Sequence, residues 1–167
     1  MRAGDSVMSM SDISLHPVNA TLLALLDNQC ARTEAAFEGL RDDVFTAEPG
    51  HNCNSIRAIA HHLIKLRRFQ LMLLESPAAA SIADPDGLHD QSAVLAALHD
   101  ATERFRTAVA EHDGDDWTVV PATPRAGKWG DEATLVRVIR PLNDFTNHLG
   151  SIRAIRRMMG NPNDRTQ

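Results

Sequence analysis

Two histidines and one aspartate carry the chemistry available to this sequence. Asp144 and His148 stand four residues apart, a spacing that returns to the same helical face and aims a carboxylate and an imidazole at one point. His62, far upstream, supplies an imidazole from a different element. Three such ligands leave positions open for water or substrate, as catalytic divalent-ion sites do, whereas structural zinc is closed by four protein ligands. Each residue also has a plainer role open to it. A lone histidine on an apolar stripe serves as a hydrogen-bonded core residue, and Asp144 could pair at the surface with a basic neighbour.

These side chains need helices to position them, and apolar periodicity supplies four. The first is expected over residues 17–40, with Leu22, Leu25, Leu26, Cys30, Phe37 and Leu40 in step and Pro17 suited to a first turn. Residues 42–54 read as a connector. A second helix starts after Asn54 or Ser55, both good caps, with Ile59, His62, Leu63, Leu66, Phe69 and Leu73 along one side. That phase predicts a buried His62 and places His61 on the wet side with Arg57, Lys65 and Arg68. Residues 76–90, with two prolines, read as a crossing loop before a third helix over 91–112. Residues 113–130 are loop-like and hold Trp117 and Trp129, candidates for a pocket floor or for loop anchors. The fourth helix spans 131–159, where Pro141 is expected to kink it and turn Asp144 inward. The sum is an all-α chain, a four-helix bundle with a long crossover between helices 2 and 3. One domain is expected over 15–160, between a flexible stretch at 1–14 and a polar tail at 161–167.

Composition excludes several classes. The 167 residues suit one domain with a real core, and a formal net charge of −5 opposes general nucleic-acid binding. Arg153, Arg156 and Arg157 form a local exception, read as a solvated helix end. No apolar run is long enough for a membrane span, and residues 1–14 lack the layout of a secretory signal, so a cytoplasmic protein is expected. Cys30 and Cys53 make no metal-type pair. Cys53 and His51 could sit near the mouth of a site, although a packing or surface cysteine and an exposed loop histidine are the favoured roles. No H-E-x-x-H, Walker loop, nucleophile elbow or dinucleotide fingerprint occurs.

The stretch from Ser55 to Phe69, S-I-R-A-I-A-H-H-L-I-K-L-R-R-F, together with Asp144-Phe-Thr-Asn-His148-Leu-Gly150-Ser-Ile152, resembles the DinB/YfiT-like superfamily. The similarity runs over about residues 17–159. It implies a four-helix bundle with a long crossover, frequent homodimers and a divalent metal (Zn, Ni, Mn or Fe) held by His62, Asp144 and His148. Asp144 stands where most members have histidine, and Ser151 where many have glutamine. A carboxylate binds zinc at nearly the imidazole distance, and its charge favours harder ions such as Mn²⁺ or Fe²⁺. The mycothiol-dependent maleylpyruvate isomerase branch is similar in using a carboxylate there. The resemblance implies a thiol-dependent transferase or isomerase that takes a low-molecular-weight thiol as cosubstrate and a small electrophile as substrate. The alternative is a metal-free homodimeric binding or stress-associated module with a relic site. Dimerisation is expected through spare apolar positions on the first and third helices.

Overall fold

The structure, a computed structural model, describes residues 15–51, 53–120 and 132–161, and these residues are all-helical, without a strand. The expectations for residues 1–14, for Trp129, for a helix start at Asp131 and for the tail beyond residue 161 lie outside the described residues. Five α-helices follow in order: α1 Pro17–Phe37, α2 Asp42–Thr46, α3 Ile56–Leu73, α4 Gln91–Glu111 and α5 Thr134–Met158.

Local chemistry sets their limits. Ser55 accepts a hydrogen bond from the Ala58 amide and Asp90 one from Ala93, each satisfying an orphan donor at a helix start. Gly39 and Gly160 take φ of +61° and +65° just past α1 and α5, the left-handed conformation that ends a helix cheaply only at glycine. For this reason α1 stops at Phe37, before the expected Leu40. At the end of α3 the same conformation falls on Glu75, with φ +54°. The short α2 lies inside the expected connector. Its buried Val44 and Phe45 dock it on the core, and one turn is too brief for periodicity to reveal.

Helix directions follow from which residues meet. Asn19 on α1 reaches His112 just past the end of α4, while Leu40, just past the other end of α1, accepts from Gln91 at the start of α4, so α1 and α4 are antiparallel. Gln70 reaches Val138 and His62 approaches Asp144, so α3 and α5 are antiparallel as well. The chain between α3 and α4 returns along α3 through two 3-10 turns, Pro77–Ser81 and Pro85–Gly87. Lys65 pairs there with Asp86, and Arg67 meets Thr102 further along, so α3 and α4 run parallel across a long overhand connection. The expected crossing loop is present.

Most of the core is apolar, with Leu26, Phe45, Ile56, Leu63, Ile64, Phe105, Trp117, Phe145 and Leu149 essentially sealed from water. Trp117 anchors the chain after α4: its Nε1 donates to Asn19 Oδ1, and its ring packs 4.2 Å from that of His112. It is a loop anchor. Arg156, expected in solvent, is instead buried. It donates to the carbonyls of Ala36 and Glu38 at 2.8 Å, serving the last turn of α1, whose carbonyls have no helical partner. Arg157 does remain exposed.

Candidate metal centre

The phase of α3 decides what its histidines can do. Its buried residues are Ile56, Ile59, Ala60, Leu63, Ile64, Arg67, Gln70 and Leu71. At about 100° per residue, that face centres between Leu63 and Arg67, and His61 and His62 lie roughly 130° to either side of it. The expectation of a buried His62 and a wetter His61 is therefore overturned: the His62 side chain is 47% exposed, and His61 is the more covered of the two. The stripe was mis-phased because two polar residues, Arg67 and Gln70, occupy the inward positions where apolar ones were sought. His61 faces the returning crossover, its Nε2 buried without a hydrogen-bond partner. Burial pushes its pKa below the usual histidine value, against a raising hydrogen bond with the Leu88 backbone. His62 faces α5.

There it meets its expected companions. His62 Nε2 lies 3.7 Å from Asp144 Oδ2, and His148 Nε2 lies 3.7 Å from Asp144 Oδ1. The two imidazole rings are 4.7 Å apart and steeply inclined, at 73°. One ligand atom from each residue falls within 4.8 Å of the others. The correction to α3 moves His62 outward without breaking the cluster, because the groove between α3 and α5 is itself open to water. Asp144 is 51% exposed, so Pro141 does not bury it, and His148 is 27% exposed.

The separations are too long for hydrogen bonds, and among the described residues no hydrogen bond ties any of the three side chains. Bonds of about 2.0–2.2 Å would set tetrahedral ligands about 3.4 Å apart, within a small rotation of what is seen. Two imidazoles and a carboxylate are a donor set for a first-row divalent ion, and the residues fit one. Burial, reinforced by the neighbouring His62 and opposed by Asp144, holds the His148 pKa below the usual histidine value and favours the neutral, ligating imidazole. His51 and Cys53 are exposed on the connector and take no part in the cluster.

Behind the groove lies a polar core that periodicity did not disclose. Arg67 is fully buried, without a carboxylate partner among the described residues, and desolvation lowers its pKa to about 9. Its guanidinium donates to Thr102 Oγ1 at 3.2 Å, to Gln70 Oε1 at 2.8 Å and to Gln29 Oε1. It stacks 4.2 Å from the ring centroid of Phe145, the residue after Asp144. The amides pass the connection on: Gln70 donates to the Val138 carbonyl, and Gln29 to the Leu142 carbonyl and to Thr146. These carbonyls flank Pro141, which has no N–H to donate to its own helix. All four long helices are thus joined around the turn of α5 that presents Asp144. A polar residue repeatedly in phase with Ile56, Ala60 and Leu63 was the signal available in the sequence.

The described residues thus define a helical protein in which two antiparallel helices bring together a solvent-open His–Asp–His cluster, a donor set suited to a divalent ion. More particularly, the family model of the DinB superfamily matches residues 25–148, a span that contains all three cluster residues, and the chain belongs to that superfamily. Neither the curated proteins nor the solved structures provide a match.

Proposed function

We propose that this chain is a divalent-metal-dependent enzyme of the thiol transferase or isomerase type, in the four-helix-bundle form of its superfamily, with α2 as an extra turn in the first connection. The observation that carries this reading is the approach of His62, Asp144 and His148, with one ligand atom from each within 4.8 Å of the others at a surface open to water. A bound divalent ion there would act as a Lewis acid, lowering the pKa of a thiol so that it reacts as thiolate. His62 and His148 would hold the ion through imidazole nitrogens and Asp144 through a carboxylate oxygen, a ligand that suits harder ions. The thiol proton leaves to solvent, the sulfur forms a bond to the electrophilic carbon, and the leaving group departs with its electron pair. In an isomerisation the sulfur is expelled again after the rearrangement. The sulfur comes from a low-molecular-weight cosubstrate, since Cys53 lies outside the cluster.

The exposure of His62 and Asp144 favours a second reading, a binding module whose cluster is a wet remnant. Metal analysis of untagged protein, with titration calorimetry on the wild type and His148→Ala, separates the two. Stoichiometric binding that the variant loses supports the enzyme reading; absence of binding in the wild type refutes it.

We read the chain further as one cytoplasmic domain over residues 15–160 that forms a homodimer. Exposed large apolar residues occur on α1 (Leu25) and α5 (Val136), whereas α4 presents none among the described residues, which makes α1 with α5 the favoured face. Light scattering at micromolar concentration tests this, and a monomer there removes it.

A further inference from the structure

On the far side of the molecule from the His–Asp–His groove, α1 and α4 diverge around a cavity of about 330 Å³. Its wall is Phe37, Leu95 and Leu98, with the Cys30 thiol and the Thr102 hydroxyl between them; Thr33 and the exposed His99 also line it. The hydroxyl has nothing left to offer a guest, since it donates to the Leu98 carbonyl and accepts from Arg67. Burial pushes the Cys30 thiol up, so it sits there uncharged. The interior is therefore apolar in effect. Charge is confined to the rim, where Glu34 and Glu38 project from α1, both exposed. Arg156 stands beside Glu38, which leaves Glu34 as the leading carboxylate. The Arg106–Asp27 ion pair joins the two helices about one turn beyond Thr102 and closes that end.

We propose that this cavity is a second binding site, independent of the metal centre, for a small cationic amphiphile: a compact apolar ring seated on Phe37, Leu95 and Leu98, with an ammonium group at Glu34. The volume is at the lower end of ligand pockets, about 300–1,000 Å³, and suits a mono- or bicyclic body. Polarity fixes the orientation. The buried Arg67 cation lies behind Thr102 and Cys30, so it repels an ammonium from the floor and leaves the acidic rim as its only favourable end. An anionic amphiphile of the same shape meets Glu34 and Glu38 on entry and is rejected there.

The two cysteines provide the readout. Cys30 lines the cavity, while Cys53 is exposed on the connector and serves as an internal reference. The full chain, stripped of metal with EDTA, is treated with N-ethylmaleimide in the presence of tryptamine or of indole-3-propionate, and each cysteine is followed by peptide mass. Tryptamine should slow alkylation of Cys30 several-fold and leave Cys53 unchanged, and the propionate should do neither. Glu34→Gln, an exposed substitution, should weaken the protection by about fivefold, the scale of one solvent-exposed charge pair. Leu95→Trp, which fills the cavity from a half-covered position, should slow Cys30 without ligand and remove the response to tryptamine. Equal protection by both indoles, or by neither, overturns the proposal. So does protection of Cys30 that grows with protein concentration alone, which would assign the groove to a second copy of the chain.

Discussion

Two polar clusters share α3 as a member, one reaching inward to α1 and α4 and the other outward to α5, and they differ in nearly every respect. Arg67, Gln29, Gln70 and Thr102 are dry, and their donors and acceptors are used on one another or on backbone carbonyls. His62, Asp144 and His148 are wet, approach one another, and make no hydrogen bond among the described residues. A buried polar group that has its partners holds a fold together, and removing one partner strands the others at a desolvation cost. Exposed ligand atoms that converge without partners contribute little to stability and remain available to something else. The contrast separates side chains committed to the fold from side chains that the fold leaves uncommitted.

The largest expected effect breaks the dry cluster. Arg67→Met should lower unfolding free energy by about 3–5 kcal/mol in urea, because Gln29 and Gln70 lose their donor inside the core. The wet cluster should respond in the opposite sense. Asp144→Asn and His148→Ala should leave stability within about 0.5 kcal/mol of wild type, as surface substitutions do. Each should weaken divalent-ion binding in calorimetry by at least about 100-fold, since two strong ligands hold an ion poorly. A large loss of stability in His148→Ala would erase the distinction between the clusters. Gln29→Leu sharpens it. Loss of its bonds to Leu142 and Thr146 should cost about 1–2 kcal/mol and also shift metal affinity by roughly tenfold, the scale of lost supporting contacts around a ligand set. An unchanged affinity would show that the dry cluster does not position Asp144.

Histidines away from both clusters give a gentler test. Burial lowers the pKa of His112, against the raising fields of Asp116 and Asp113. The unfolded chain, with an ordinary imidazole near 6.5, then takes up its proton first as pH falls. Stability from this group is complete above about pH 6.5 and declines below it, down through the lowered folded value. His112→Phe should flatten that part of the stability profile, as urea midpoints between pH 5 and 8 would record. The smallest effect is at Glu75, where a side chain occupies the left-handed conformation that ends α3. Glu75→Gly should raise stability by about 0.5 kcal/mol, with relief of strain outweighing the added freedom of the unfolded chain.

The sequence disclosed what depends on spacing and missed what depends on partners. The four long helices and the return of Asp144 and His148 to one face follow from helical geometry. Pairing them with His62 rested on resemblance together with its place near the stripe. Its burial was misjudged because Arg67 and Gln70 were excluded from a face they in fact occupy, and a pattern of apolar residues cannot register a guanidinium stacked on Phe145. Arg156 was missed for the same reason. Its partners are carbonyls of α1, more than a hundred residues away in the chain. The single turn of α2 left two apolar residues, Val44 and Phe45, too few to show a period.

Arg156 has a consequence for how the protein is made. By holding the Ala36 and Glu38 carbonyls, the last described helix completes the first, across 120 residues. Contacts of such long range form late, since the entropy of closing the loop must be met before they stabilise anything. On the ribosome α1, α3 and α4 emerge before α5, so the end of α1 stays open until α5 has emerged. His62 emerges 82 residues ahead of Asp144, and through that interval it is a single exposed imidazole with no power to retain an ion. Docking of α5 therefore closes the core and assembles the ligand set in one event. A nascent chain stalled before α5 would present neither a sealed core nor the three-residue cluster.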